Sequence, residues 1–174
     1  MGTDGRAERF ESVAREVIEP VRRFLARRTD PATADDVLAE TLLVVWRRLD
    51  DVPGEPLPWV YAVARHTLAN AARSERRRER LAARLEAQPA GAAAEPAAGD
   101  DALHEALAAL RPKDADLLRL WAWEQLTPAE IAIVLDTTPN AVSIRLHRAK
   151  AALREELRKS DGDGGHEGTE GRTP

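Results

Sequence analysis

The chain has 174 residues, a formal net charge of −4, 43% hydrophobic and 32% charged residues, and no cysteine. That length holds one ordinary domain or two small ones. Without cysteine there are no disulfides or thiolate metal sites, and four scattered histidines offer no ligand cluster, so neither metal nor cofactor is expected.

No run approaches the ~18 consecutive apolar residues of a membrane span. The opening "MGTDGRAERFESV" lacks the basic-then-apolar order of a secretory signal. A cytoplasmic protein with no membrane insertion is therefore expected. The charge is unevenly spread. Residues 1–80 carry 15 Lys/Arg against 14 Asp/Glu, and residues 102–159 carry 9 against 8, so both stretches are near neutral. The acidity sits in 81–101 and 160–174, each with 1 basic and 4 acidic residues. Within the near-neutral stretches, 65–80 holds six Arg against two Glu, and 142–159 holds six Lys/Arg against two Glu. Two local basic patches suit a polyanion partner better than the total charge suggests.

In the first third, Phe10, Val13, Val17, Val21 and Phe24 recur at helical spacing. Pro20 falls inside this pattern and predicts a kink or a restart. "TDPATADD" carries start signals: Thr33 as cap, with Asp35 and Asp36 in the first turn. The helix that follows buries Leu38, Leu42, Val45 and Leu49. Its outward face reads Asp36, Glu40, Leu43 and Arg47, with Trp46 nearby, and an apolar residue ringed by charges suits a protein contact. After the Pro/Gly break "DDVPGEPLP", a third helix runs from about Trp59 to about Arg80. On it His66, Asn70, Arg73 and Arg77 share a face, with Trp59 and Tyr61 just upstream. Flat rings for bases, an amide for their edges and cations for phosphates are what single-stranded nucleic acid needs.

Residues 81–101 read as a flexible linker broken by Pro89, Gly91, Pro96 and Gly99. Twenty extended residues reach about 70 Å, so two modules could touch one duplex at separate places. A second module occupies 102–159, and 160–174 reads as a disordered tail. Thr127, Pro128 and Glu130 form a capping box with proline at the first helical position, opening a short helix over about 128–135. Thr138 and Pro139 repeat the device. "DTT" lies between, and Asp136 tolerates a left-handed turn conformation. This is a helix-turn-helix pattern. The second helix buries Val142, Leu146, Ala149 and Leu153. Thr138, Asn140, Ser143, Arg145, His147, Arg148 and Lys150 remain for base edges and phosphates. No strand pattern appears, so the expected fold is all-α: two small helical domains on a linker, the C-terminal one containing the helix-turn-helix. No nucleophile–base pair and no phosphate-cradling Gly loop is present, so no catalytic residue is assigned.

Three blocks resemble bacterial RNA polymerase sigma factors. "ADDVLAETLLVVWRRL" is similar to region 2.2, "PWVYAVARHTLANAARSERRR" to regions 2.3 and 2.4, and "LTPAEIAIVLDTTPNAVSIRLHRAKAALREEL" to region 4.2. With regions 2 and 4 alone, the layout is that of the extracytoplasmic-function (ECF) class. The resemblance implies that 1–80 docks on the clamp helices of the β′ subunit of core polymerase through Asp36, Glu40, Leu43, Trp46 and Arg47. It implies capture of the non-template strand of the downstream promoter element by Trp59, Tyr61, His66, Asn70, Arg73 and Arg77. Region 4 would read the upstream element of promoter DNA and sit on the β flap, with the family's contacts carried over to Asn140, Ser143, His147 and Arg148. An anti-sigma factor is an implied partner. The sequence departs from the family at His66, where many relatives have Asn, and at Ile144, where a small polar residue is common. The rival reading is a stand-alone helix-turn-helix regulator that binds duplex DNA without core polymerase.

Overall fold

The computed structural model describes residues 3–85 and 101–163. These form seven α-helices and one 3-10 turn, with no strand among the described residues: α1 (Thr3–Ala26), α2 (Pro31–Arg47), the turn Leu49–Asp51, α3 (Leu57–Leu85), α4 (Asp101–Ala109), α5 (Pro112–Ala122), α6 (Pro128–Leu135) and α7 (Pro139–Asp163). The all-α expectation holds. Residues 86–100, the heart of the expected linker, and 164–174, most of the expected tail, lie outside the described residues. The third helix extends past Arg80, through the first part of the segment read as linker.

α1, α2 and α3 pack against one another, burying Val17, Val21, Phe24, Val37, Leu38, Val45, Leu49 and Val60. On α1, Val17, Val21 and Phe24 recur at four- and three-residue spacing, the stripe a surface helix needs to find partners. α1 runs through Pro20 as one helix, so of the expected kink or restart the restart does not occur. The missing proline N–H is the loss of one hydrogen bond. On either side of it Val17, Val21 and Phe24 are fully buried and hold the chain in register. The cap of α2 is also corrected. It is Asp30, not Thr33: the Asp30 carboxylate accepts from Thr33 N at 3.0 Å, with Pro31 at the first helical position. Asp35 and Asp36 therefore fall beyond the first turn. Buried Thr41 donates its hydroxyl to Val37 O at 2.7 Å, which satisfies it within its own helix. Arg6 ties α1 to the end of α2, donating to Trp46 O at 2.8 Å and to Asp50 at 3.0 Å.

The second group packs α4, α5 and α6 on α7. Its core is Leu107, Leu117, Leu118, Leu120, Ile131, Val134, Val142, Leu146 and Ala149. The two groups are in contact, α3 lying against α6. The sequence reading had them as separate bodies on a tether.

Candidate nucleic-acid and polymerase interfaces

The helix-turn-helix is built by local chemistry at each end of α6. Thr127 Oγ1 accepts from Glu130 N at 3.3 Å, and the Glu130 carboxylate accepts from Thr127 N at 2.7 Å, a complete capping box. At the other end Asp136 sits at φ 49, the left-handed conformation that lets the chain reverse. Thr138 Oγ1 then accepts from Ala141 N at 3.3 Å, capping α7. Val142, Leu146 and Ala149 are buried and Leu153 is half-buried, which fixes the rotation of α7. Its opposite face is turned out.

On that outward face Asn140, His147 and Arg148 are exposed and make no side-chain hydrogen bond or ion pair among the described residues. The other residues assigned to this face are already engaged. Thr138 is the cap. Ser143 donates its hydroxyl back to Pro139 O at 2.9 Å. Arg145 turns to the start of α5, 3.8 Å from Asp114 and 3.5 Å from Lys113 O. Lys150 lies over the half-exposed Trp121 ring, its Nζ 3.3 Å from the centroid. A cation–π contact of this kind is worth about 0.5–1 kcal/mol at an exposed site. Arg145 and Lys150 thus have internal partners that residue spacing gave no sign of.

On α3, His66, Asn70, Arg73 and Arg77 are all exposed. Arg73 donates to Asn70 within the face, and His66 and Arg77 have no partner among the described residues. Trp59 is half-buried at the head of the same stripe, with the Arg48 guanidinium 5.4 Å from its ring centroid. Tyr61 does not join them. Two residues on from Trp59, it lies roughly 200° around the helix, and it is 4% exposed. Its ring packs 5.1 Å from that of Phe24. Burial, followed by the nearby Glu124 charge, pushes its phenol up to about 12. Tyr61 is a core residue, and adjacency in sequence to Trp59 was the misleading signal.

The outward face of α2 carries Asp36, Glu40, Leu43 and Arg47, all exposed, with Leu43 at 52%. Trp46 leans aside onto α1, its ring 5.2 Å from Phe10 in an edge-on contact and 5.3 Å from the Arg6 guanidinium. A groove of about 950 Å³ between α2 and α3 is lined by Asp36 and Glu40 on one wall and Asn70, Arg76 and Arg77 on the other. The α2 face and the basic α3 face are therefore adjoining surfaces.

An ionic cluster that the sequence reading missed joins the two helical groups. The Glu124 side chain, 2% exposed, receives both Arg27 and Arg28 from the end of α1, the latter at 3.0 Å. Asp116 receives Arg65 of α3 at 3.1 Å and lies 3.8 Å from Arg28. Burial draws the Arg28 guanidinium below its usual range, against the opposing pull of Glu124 and Asp116. The only sequence hint was a glutamate set between Trp123 and Leu126.

Two known families match. The Sigma-70 region 2 family matches residues 10–78, and the Sigma-70 region 4 family matches residues 100–153. The RNA polymerase sigma factor CarQ of Myxococcus xanthus is 33% identical over 88% of this chain and 92% of its own length. The RNA polymerase sigma-E factor of Streptomyces coelicolor is 32% identical over 77% of both chains. The probable RNA polymerase sigma factor RfaY of Xanthomonas campestris is 31% identical over 76% of this chain but only 36% of its own length. Among solved structures, the sigma factor RpoE of Bartonella quintana, crystallised with the anti-sigma factor NepR, superposes with a TM-score of 0.63. It is 18% identical, covering 86% of this chain and 96% of that one. The PhyRSL–NepR complex from Sphingomonas sp. Fr1 superposes with a TM-score of 0.61 at 20% identity, covering 94% of this chain and 95% of that one. With both regions matched in order and two relatives above 30% identity aligned over more than three quarters of this chain, the chain belongs to the sigma-70 family of RNA polymerase sigma factors, in its ECF class.

Proposed function

We propose that this sigma factor directs core polymerase to promoters by dividing the DNA between its two basic faces. Residues 1–80 and 102–159 act as the two working modules, joined by 81–101. α7 anchors the complex on the duplex upstream element through Asn140, His147 and Arg148. Groove contacts of this kind are worth about 1–3 kcal/mol for each good pair. Arg145, Lys150, Thr138 and Ser143 hold the recognition helix in place. α3 captures the melted strand of the downstream element. Unstacking a base costs a few kcal/mol, and stacking returns about 1–3 kcal/mol per base. With Tyr61 in the core, that stacking falls to the open side of Trp59 and to the imidazole and guanidinium planes of His66, Arg73 and Arg77.

The observation that carries this reading is the set of outward polar side chains on α7 that lack any internal partner among the described residues. Such groups are free to exchange water for base edges and phosphates. Near-neutral modules have little non-specific grip on DNA, so tight binding depends on polymerase. The exposed Leu43, ringed by Asp36, Glu40 and Arg47, supplies the contact with the β′ clamp helices, and region 4 sits on the β flap. An anti-sigma factor is the expected regulatory partner, as in the Bartonella complex. The protein is a positioning factor rather than an enzyme. It works in the cytoplasm, and no described helix is long and apolar enough to cross a membrane. Arg148→Ala is expected to cut promoter-directed transcription at least tenfold while core polymerase still co-purifies with the variant. Loss of core association instead would mean that Arg148 is structural.

A further inference from the structure

At the centre of the outward face of α7 stands an exposed apolar residue that is not part of the core. Ile144 is 46% exposed and does not belong to the hydrophobic core or to the residues packed against it. It lies two residues from buried Val142, so roughly 200° around the helix, directly opposite the core stripe. Asn140 lies one turn before it, and His147 and Arg148 one turn after, all exposed. Helix preference does not explain it, since a β-branched residue lowers helix propensity. Lone exposed apolar residues are common on protein surfaces. This one, however, is set among side chains free to meet base edges. In the major groove one base presents an apolar group at its edge, the thymine C5 methyl, and apolar side chains read it.

We propose that Ile144 is a specificity-determining residue that packs on the C5 methyl of a thymine in the upstream element. Asn140, His147 and Arg148 read polar edges and phosphates around it. The inference rests on the reading of α7 as the duplex-contacting helix. Packing removes both the methyl and part of the Ile144 surface from water. Burying one methyl shifts an equilibrium about fourfold, so that is the expected discrimination.

The test uses holoenzyme, reconstituted from core polymerase and the full chain, and a promoter library randomised across the upstream element. Wild type should select a thymine at one position that Ile144→Ala no longer selects. On the selected promoter, replacing that thymine by deoxyuridine removes only the methyl. Wild-type transcription should fall about fourfold, while the Ile144→Ala holoenzyme, already about fourfold weaker, should not change further. Ile144→Val, which keeps part of the contact, should fall between. Helicity by circular dichroism should be the same for all, since the residue is exposed. The proposal is overturned if no thymine on either strand is methyl-sensitive, or if Ile144→Ala responds to deoxyuridine as wild type does. Arg148→Ala separates this failure from failure of the underlying reading. If Arg148→Ala abolishes dependence on the selected element while deoxyuridine is neutral, only the Ile144 contact is wrong. If no upstream element is selected at all, α7 is not the duplex reader and both fall.

Discussion

Replacing Glu124 by Gln tests what holds the two modules together. The carboxylate is 2% exposed and lies between Arg27 and Arg28, and the Arg28 side chain is itself only 11% exposed. One Arg28 nitrogen, Nη2, has no hydrogen-bond acceptor among the described residues, and Asp116 is 3.8 Å away. Arg28 therefore depends on Glu124 for its closest neutralising charge. Breaking a buried pair by removing one partner costs about 3–5 kcal/mol, because the remaining charge is stranded. Gln keeps a carbonyl that can still accept, so the lower end applies: about 3 kcal/mol, more than a hundredfold in an equilibrium constant. The cluster joins α1 and α3 to α5, so the molecule has a cheaper escape than unfolding. It can part the modules and rehydrate Arg28. Small-angle scattering should thus show a larger radius of gyration for Glu124→Gln, with helicity unchanged. Combining Arg28→Met with Glu124→Leu should restore the compact form, since apolar replacement of the two most buried members removes the stranded charge, while Arg27, 31% exposed, keeps its water. A Glu124→Gln protein with the scattering profile and urea midpoint of wild type would refute the reasoning.

Two further outcomes follow from particular side chains. Leu43→Asp should weaken co-purification with core polymerase at least tenfold and leave the thermal melt within about 0.5 kcal/mol, because Leu43 is 52% exposed and is not one of the core residues; a cooperative loss of helicity would contradict it. Tyr61 is the one tyrosine of the chain, so tyrosinate absorbance reports it alone. Its midpoint should lie near 12, up from the ordinary 10.0. The unfolded chain releases this proton first. The contribution of Tyr61 to stability should be level below pH 10 and be lost between pH 10 and 12, and Tyr61→Phe should flatten that fall; a midpoint near 10 would mean the ring is not buried.

Much of this was legible because it is written locally. The capping box at Thr127 and Glu130, the left-handed Asp136 and the stripe Val142, Leu146, Ala149 each depend on residues within a few positions of one another. Periodicity likewise separated the exposed α2 face from its buried one. What escaped depends on distant partners. Pro20 is tolerated because α2 and α3 cover α1 on either side of it. Lys150 and Arg145 are drawn to Trp121 and Asp114, which lie on another helix. Glu124 finds two arginines almost a hundred residues upstream. Tyr61 failed for a simpler reason: it was grouped with Trp59 by nearness in sequence, and two residues along a helix is the far side.

The division of labour between α3 and α7 is tested most directly by permanganate reactivity of promoter thymines in the open complex. Holoenzyme carrying Asn70→Ala and Arg73→Ala should protect the upstream element as wild type does, yet lose most of the reactivity at the melted downstream element. Full reactivity at those thymines in the doubly substituted holoenzyme would contradict the account.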